Sequence, residues 1–231
     1  MKKLLYTFSV LILFSFFGLT DAEAQETRAV KNFHAIANAG SVEVYVKIGD
    51  EESLTIEGAD EDVERIETIV QNGILKIRTK RDINNWNIAL NSVKVYITAV
   101  KLDALLQSGS GSMELEGKLK SASADIQLSG SGKISATMSV QSAKITLSGS
   151  GNIALMGKVG ELNMTMAGSG DVNAEKLLAE NAKIKIAGNG IAYVNVSETI
   201  DAKIVGNGGV KYIGEPTITT KKLGEGSVSK F

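Results

Sequence analysis

Along most of the chain, apolar and polar residues alternate in short runs, and in the second half a Gly-x-Gly triplet cuts these runs at regular intervals. The triplets start at Gly109, Gly130, Gly149, Gly168, Gly188, Gly206 and Gly224, with steps of 21, 19, 19, 20, 18 and 18 residues. Two residues before the first glycine stand Leu128, Leu147, Met166, Ile186 and Ile204, and four before stand Ile126, Ile145, Met164 and Ile184. Two residues after the second glycine come Met113, Ile134, Ile153, Val172, Ala192, Val210 and Val228. Alternation with period two marks a half-buried strand, so each unit reads as strand, corner, strand. A fixed period near 19 predicts an all-β fold, a parallel β-helix or β-solenoid in which each copy is one coil stacked on the next.

The corner glycines are read as structural turn residues. They are Gly109 and Gly111, Gly130 and Gly132, Gly149 and Gly151, Gly168 and Gly170, Gly188 and Gly190, Gly206 and Gly208, and Gly224 and Gly226. Glycine reaches positive φ at little cost and puts no Cβ between stacked rungs. The end copies break the apolar pattern, because the position two before the first glycine is Gln107 in the first and Lys222 in the last. Those residues are expected at exposed ends, where Lys221, Lys222 and Lys230 would discourage pairing with another chain.

The period weakens before Gly109, but short strands are still expected over Val42–Val46, Ser53–Ile56, Ile74–Ile77 and Val93–Ile97. Asp60 to Ile66 reads either as a short helix with acidic residues in its first turn or as a charged loop. The expected organisation is a leader over 1–24, a β-rich part over 25–102 that begins or caps the solenoid, and the repeat solenoid over 103–231. In the leader, Lys2 and Lys3 precede an apolar run from Leu4 to Leu19 and then Ala22-Glu23-Ala24, the pattern of a signal peptide cut after Ala24. An uncleaved anchor is the alternative, although the run is short for a span.

Composition narrows the function classes. The net charge is −1, which gives no sign of nucleic acid as a partner. With no cysteine, neither a disulfide nor a lipidated cysteine is expected, and no later stretch is long and apolar enough for a membrane helix. Twenty-four glycines against one proline, Pro216, make glycine the main punctuation.

Taken together, the entry Phe33-His34-Ala35-Ile36 with Gly40-Ser41-Val42-Glu43-Val44, the segment Asn72-Gly73-Ile74-Leu75-Lys76-Ile77, Val95-Tyr96-Ile97 leading to Leu102, and the serial Gly-Ser-Gly corners resemble the head GIN domain family. That family is described as "putative auto-transporter adhesins" of diderm bacteria. The resemblance implies a right-handed parallel β-helix of the pectin lyase kind and a role in adhesion; it implies no catalytic residues. Nothing after the repeats is long enough for an outer-membrane barrel.

Other chemistries fail on their own requirements. Ser129-Gly130-Ser131-Gly132-Lys133 looks like a phosphate loop but has Gln127 where glycine is needed and Ile134 after the lysine, and no Gly-x-Gly completes a dinucleotide fingerprint. Calcium β-rolls repeat every nine residues with an aspartate in each copy, whereas Asp171 has no equivalent in the other corners. One histidine, His34, and no cysteine rule out the usual zinc clusters. No cofactor or metal is expected. The acids Asp103, Glu114, Glu116, Asp125, Asp171 and Glu175 are read as lying in different phases of the coil, which disfavours a glycan-cleaving cluster.

The only tryptophan, Trp86, stands among Asn84, Asn85 and Asn87. These four residues are the candidate partner contact, with cover over the end of the core as the competing reading of Trp86. The expected function is therefore non-catalytic. The chain should be an exported envelope or surface solenoid, periplasmic, outer-membrane or extracellular, that binds a glycan or a surface protein and is compatible with a homo-oligomer. The alternative is a β-helix enzyme or binding protein acting on polysaccharide.

Overall fold

A computed structural model describes residues 24–80 and 93–231. The expected leader, apart from Ala24, and the candidate contacts Asn84, Asn85, Trp86 and Asn87 lie outside the described residues. After β1 (Ala24–Arg28), strands β2 (Ala35–Ala39) and β3 (Glu43–Ile48) form a rung. The chain then runs through β4 (Ser53–Gly58), α1 (Asp60–Arg65) and β5 (Ile66–Gln71) before building a second rung from β6 (Ile74–Thr79) and β7 (Lys94–Ala99). Strands β8 (Ala104–Gly109) and β9 (Ser112–Glu116) follow. Long strands then bend from one corner to the next: β10 (Leu119–Gly130), β11 (Lys133–Gly149), β12 (Asn152–Gly168), β13 (Asp171–Gly188) and β14 (Ile191–Gly206). The described chain closes with β15 (Gly209–Ile213), β16 (Thr217–Leu223) and β17 (Ser227–Lys230).

Two parallel ladders result, one entering the corners and one leaving them. The entering ladder runs β6, β2, β8, β10, β11, β12, β13, β14, β16. The leaving ladder runs β7, β3, β9, β11, β12, β13, β14, β15, β17. This is the β-solenoid that the period predicts, with coils about 19 residues apart. Side chains equivalent in the repeat stack in register between the ladders: Ile126, Ile145, Met164, Ile184 and Ala202 form one buried column. Unequal steps are absorbed by register shifts between Ala154 and Met156, Ala174 and Leu178, and Ala179 and Asn181, all away from the corners.

The glycines of the seven triplets do not vary, and their geometry explains why. The first glycine of each triplet has φ between 107° and 133°. A Cβ on Gly130 would stand 2.5 Å from the Gly109 carbonyl oxygen, and one on Gly151 2.5 Å from that of Gly132. The carbonyls of Gly109, Gly130, Gly149, Gly168 and Gly188 each accept two bonds from the next rung: Ser150 N–H and Gly151 N–H, for example, both donate to Gly130 O at 3.0 Å. The middle side chains, Ser110, Ser131, Ser150 and Ser169, point outward and are exposed.

The first part of the chain is stacked out of sequence order. Strands β6 and β7 lie on the outer side of β2 and β3, while β8 and β9 lie on their inner side. Beyond β7 comes β4, antiparallel to it, and then β1, while β5 pairs antiparallel with β6. Residues 60–65 are the helical alternative of the two expected, and Val63 enters the core. Arg28 fastens this end by donating to Ile66 O (2.6 Å) and Val63 O (3.1 Å), carbonyls at the C-terminal end of α1.

This order corrects one expectation. Gln107 is not at an exposed end: two further rungs stack below it, and it is 2% exposed. It is polar because its partner one rung away, Asn38, is polar too. Asn38 Nδ2 donates to Gln107 Oε1 (2.8 Å) and to Val42 O (2.9 Å) across the corner Gly40-Ser41-Val42. Replacing Gln107 by the leucine found at this place in the next two rungs should strand the Asn38 amide and cost about 1–3 kcal/mol. Adding Asn38→Leu should recover most of that loss in a urea-denaturation double-mutant cycle. Lys222 does lie in the terminal rung, exposed and in register with buried Ile204.

Candidate functional site

The register that pairs β3 with β7 and β9 also builds the most site-like surface among the described residues. Outward positions of the leaving ladder place Thr55, Tyr96, Tyr45 and Glu114 in one column and Ser53, Thr98, Lys47 and Glu116 in the next. These two columns line a groove of about 400 Å³. The rings of Tyr45 and Tyr96 stack with centroids 5.3 Å apart and planes inclined by 17°. Such a pair fixes both side chains and presents its edges outward, and Tyr96 remains 38% exposed.

Tyr45 is oriented by its own strand, its hydroxyl donating to Glu43 Oε2 at 3.0 Å. That bond, together with desolvation and neighbouring carboxylates, raises the phenol above its ordinary pKa, so Tyr45 stays protonated throughout the physiological range. The groove therefore combines aromatic edges, the hydroxyls of Ser53, Thr55 and Thr98, one ammonium and two carboxylates. It can hydrogen-bond and ion-pair a polar ligand laid across several rungs.

Glu114 and Glu116 lie two residues apart on one strand and share a face, with Glu43 on the neighbouring rung. The acids are thus less dispersed than their sequence positions suggest, because Glu43 reaches the same surface through register and not through chain proximity. Glu43 is held by Tyr45, and Glu114 and Glu116 are both exposed, without the enclosed surroundings that tune an acid and base apart. His34 Nδ1 bonds Asp103 Oδ1 at 3.0 Å, but among the described residues no hydroxyl donates to its other nitrogen, which lies against Gly73. Asp171, the aspartate of the calcium-like corner, accepts from Ile191 N–H at 2.8 Å. Among the described residues no group of three His, Cys, Asp or Glu side chains is placed to hold a metal, and no helix is long and apolar enough to cross a membrane.

The sequence reading singled out Trp86 and missed this groove. Its trace was the recurrence of Val44-Tyr45-Val46 and Val95-Tyr96-Ile97, two tyrosines in the same strand phase.

Fold and surface together define a β-solenoid with flat outward faces and a polar, aromatic groove. Residues 32–216 match the family model described as "Putative auto-transporter adhesin, head GIN domain", and the chain belongs to this family. Solved structures share the architecture. A "putative adhesin" from Bacteroides fragilis superposes with a TM-score of 0.80 at 24% identity, covering 92% of this chain and 98% of its own. A "putative lipid binding protein" from Parabacteroides distasonis gives 0.76 at 25% identity, covering 90% and 96%. A "putative adhesin" from Parabacteroides distasonis gives 0.73 at 18% identity, covering 90% and 97%. No curated protein matches the chain.

Proposed function

We propose that the protein is a non-catalytic, exported solenoid of the cell envelope that attaches to glycan through the Tyr45–Tyr96 groove. The carrying observation is the groove itself, where hydroxyls, carboxylates, an ammonium and aromatic edges from four strands meet on an open face. That mixture suits a hydroxyl-rich chain, which is bound by many modest polar contacts and a few aromatic anchors. The leader pattern supports export, and the description of the family supports attachment.

The test uses residues 25–231 and a panel of immobilised uronic-acid and neutral polysaccharides, with intact cells as a second target. Tyr45→Ala combined with Tyr96→Ala should weaken binding at least about tenfold while the fold is retained, the scale of removing aromatic anchors. Binding that persists unchanged in this variant, or that follows a surface protein after glycan removal, would overturn the glycan assignment. Steady release of reducing sugar, lost in Glu114→Gln or Glu116→Gln, would replace it with the polysaccharide enzyme.

A further inference from the structure

We propose that the terminal rungs of the entering ladder form a docking face for an anionic lipid surface, a site separate from the groove. Lys185, Lys203 and Lys221 stand in register on β13, β14 and β16, all exposed. Neighbouring strands are about 4.8 Å apart, so three ammonium groups lie in a line with like charge beside like charge. None of the three ammonium groups has a hydrogen bond or ion pair with another described residue. Like charges directly opposite one another across a ladder destabilise it, and a lysine column without counter-charges suits a ligand that supplies them.

The charge is local. On the stretches of these strands that form the entering ladder, residues 181–188, 199–206 and 217–223, the other charges are Lys183, Asp201 and Lys222, the last exposed in the terminal rung; Glu180 and Glu198 stand just before these stretches. Continuing the lysine column toward the N-terminal rungs gives Thr165, Thr146 and Gln127, all uncharged. A chain with a net charge of −1 thus concentrates five lysines against one aspartate on the last three rungs of the entering ladder.

The adjoining column decides between anionic partners. Ala187, Val205 and Leu223 stand beside the lysines, also in register, with Val205 52% and Leu223 71% exposed. A soluble polyanion would need the charge alone. A row of ammonium groups next to exposed aliphatic side chains fits a bilayer interface, where anionic headgroups lie over acyl chains and flexible lysine stems carry the charge outward. The tyrosine groove lies on the other ladder and toward the other end of the stack, so both can be occupied at once.

Co-sedimentation of residues 25–231 with phosphatidylcholine vesicles, with and without phosphatidylglycerol, tests the proposal. Binding should require phosphatidylglycerol and fall as salt rises. Lys185→Gln, Lys203→Gln and Lys221→Gln together should weaken it on the order of a hundredfold, about fivefold per lysine. Val205→Ser with Leu223→Ser should weaken vesicle binding about tenfold while leaving the weaker attraction to dextran sulfate unchanged. These side chains point outward, and thermal melts of both variants should match the parent. Failure of the parent protein to bind phosphatidylglycerol vesicles at low salt would overturn the proposal. So would full vesicle affinity in the Val205→Ser/Leu223→Ser variant, which would make the face a site for soluble polyanions. Loss of glycan binding in the groove variant bears on neither outcome.

Discussion

Gly149→Val should destabilise the protein by about 3 kcal/mol or more and lower its urea midpoint accordingly. Two independent faults add at this position. Its φ is 121°, a conformation that a β-branched residue adopts only under strain. A Cβ there would also collide with the Gly130 carbonyl oxygen and stand 3.1 Å from the carbonyl carbon. That carbonyl accepts from Ser150 and Gly151, so moving it breaks the corner ladder of the neighbouring rung as well. Ser150→Ala is the contrast. Its side chain is exposed and makes no hydrogen bond to a described residue, so the change should cost less than about 0.5 kcal/mol.

The second large effect concerns where along the stack a core residue sits. Ile145→Ala should cost about 2–5 kcal/mol, because Ile145 is fully buried between Ile126 and Met164 and the rungs on either side cannot close the cavity. Val228→Ala, the same kind of truncation in the last described rung, should cost less than about 1 kcal/mol, since that side chain is only partly buried and no described rung stacks on one of its sides. Equal losses at the two positions, measured by denaturant unfolding, would mean that stability does not come from stacking on both sides.

These positions also show what the residues alone could tell. The corner period is legible because the constraint behind it is strict: a carbonyl beneath each glycine admits no Cβ, so insertions collect at the register shifts near Ala154 and Ala174 and leave the triplets intact. The first half is less legible because chain order and spatial order part company. The excursion through β4, α1 and β5 places β6 and β7 outside β2 and β3, and that is why Gln107 looked terminal but is buried. The corner below it, Gly40-Ser41-Val42, lacks the second glycine. In the rung on the outer side of Val42, β6 ends at Thr79 and β7 begins at Lys94, so these two strands are not linked by a three-residue corner.

Surface sites suffered in the same way. Tyr45 and Tyr96 meet only because Val44 pairs with Val95, a register that short alternating segments do not specify. The lysine column was better marked, since Lys185, Lys203 and Lys221 each fall three residues before the first glycine of a triplet. Whole-chain net charge hid it by averaging over both faces.

The central claim is that the corners build the solenoid and the outward faces do the binding. Its most direct test is the dissociation constant for one immobilised polysaccharide target, measured for two variants of residues 25–231. Ser131→Ala, Ser150→Ala and Ser169→Ala combined should bind like the parent, whereas Tyr45→Ala with Tyr96→Ala should bind at least about tenfold more weakly. A folded serine variant that loses binding while the tyrosine variant keeps it would place the ligand on the corners and contradict the account.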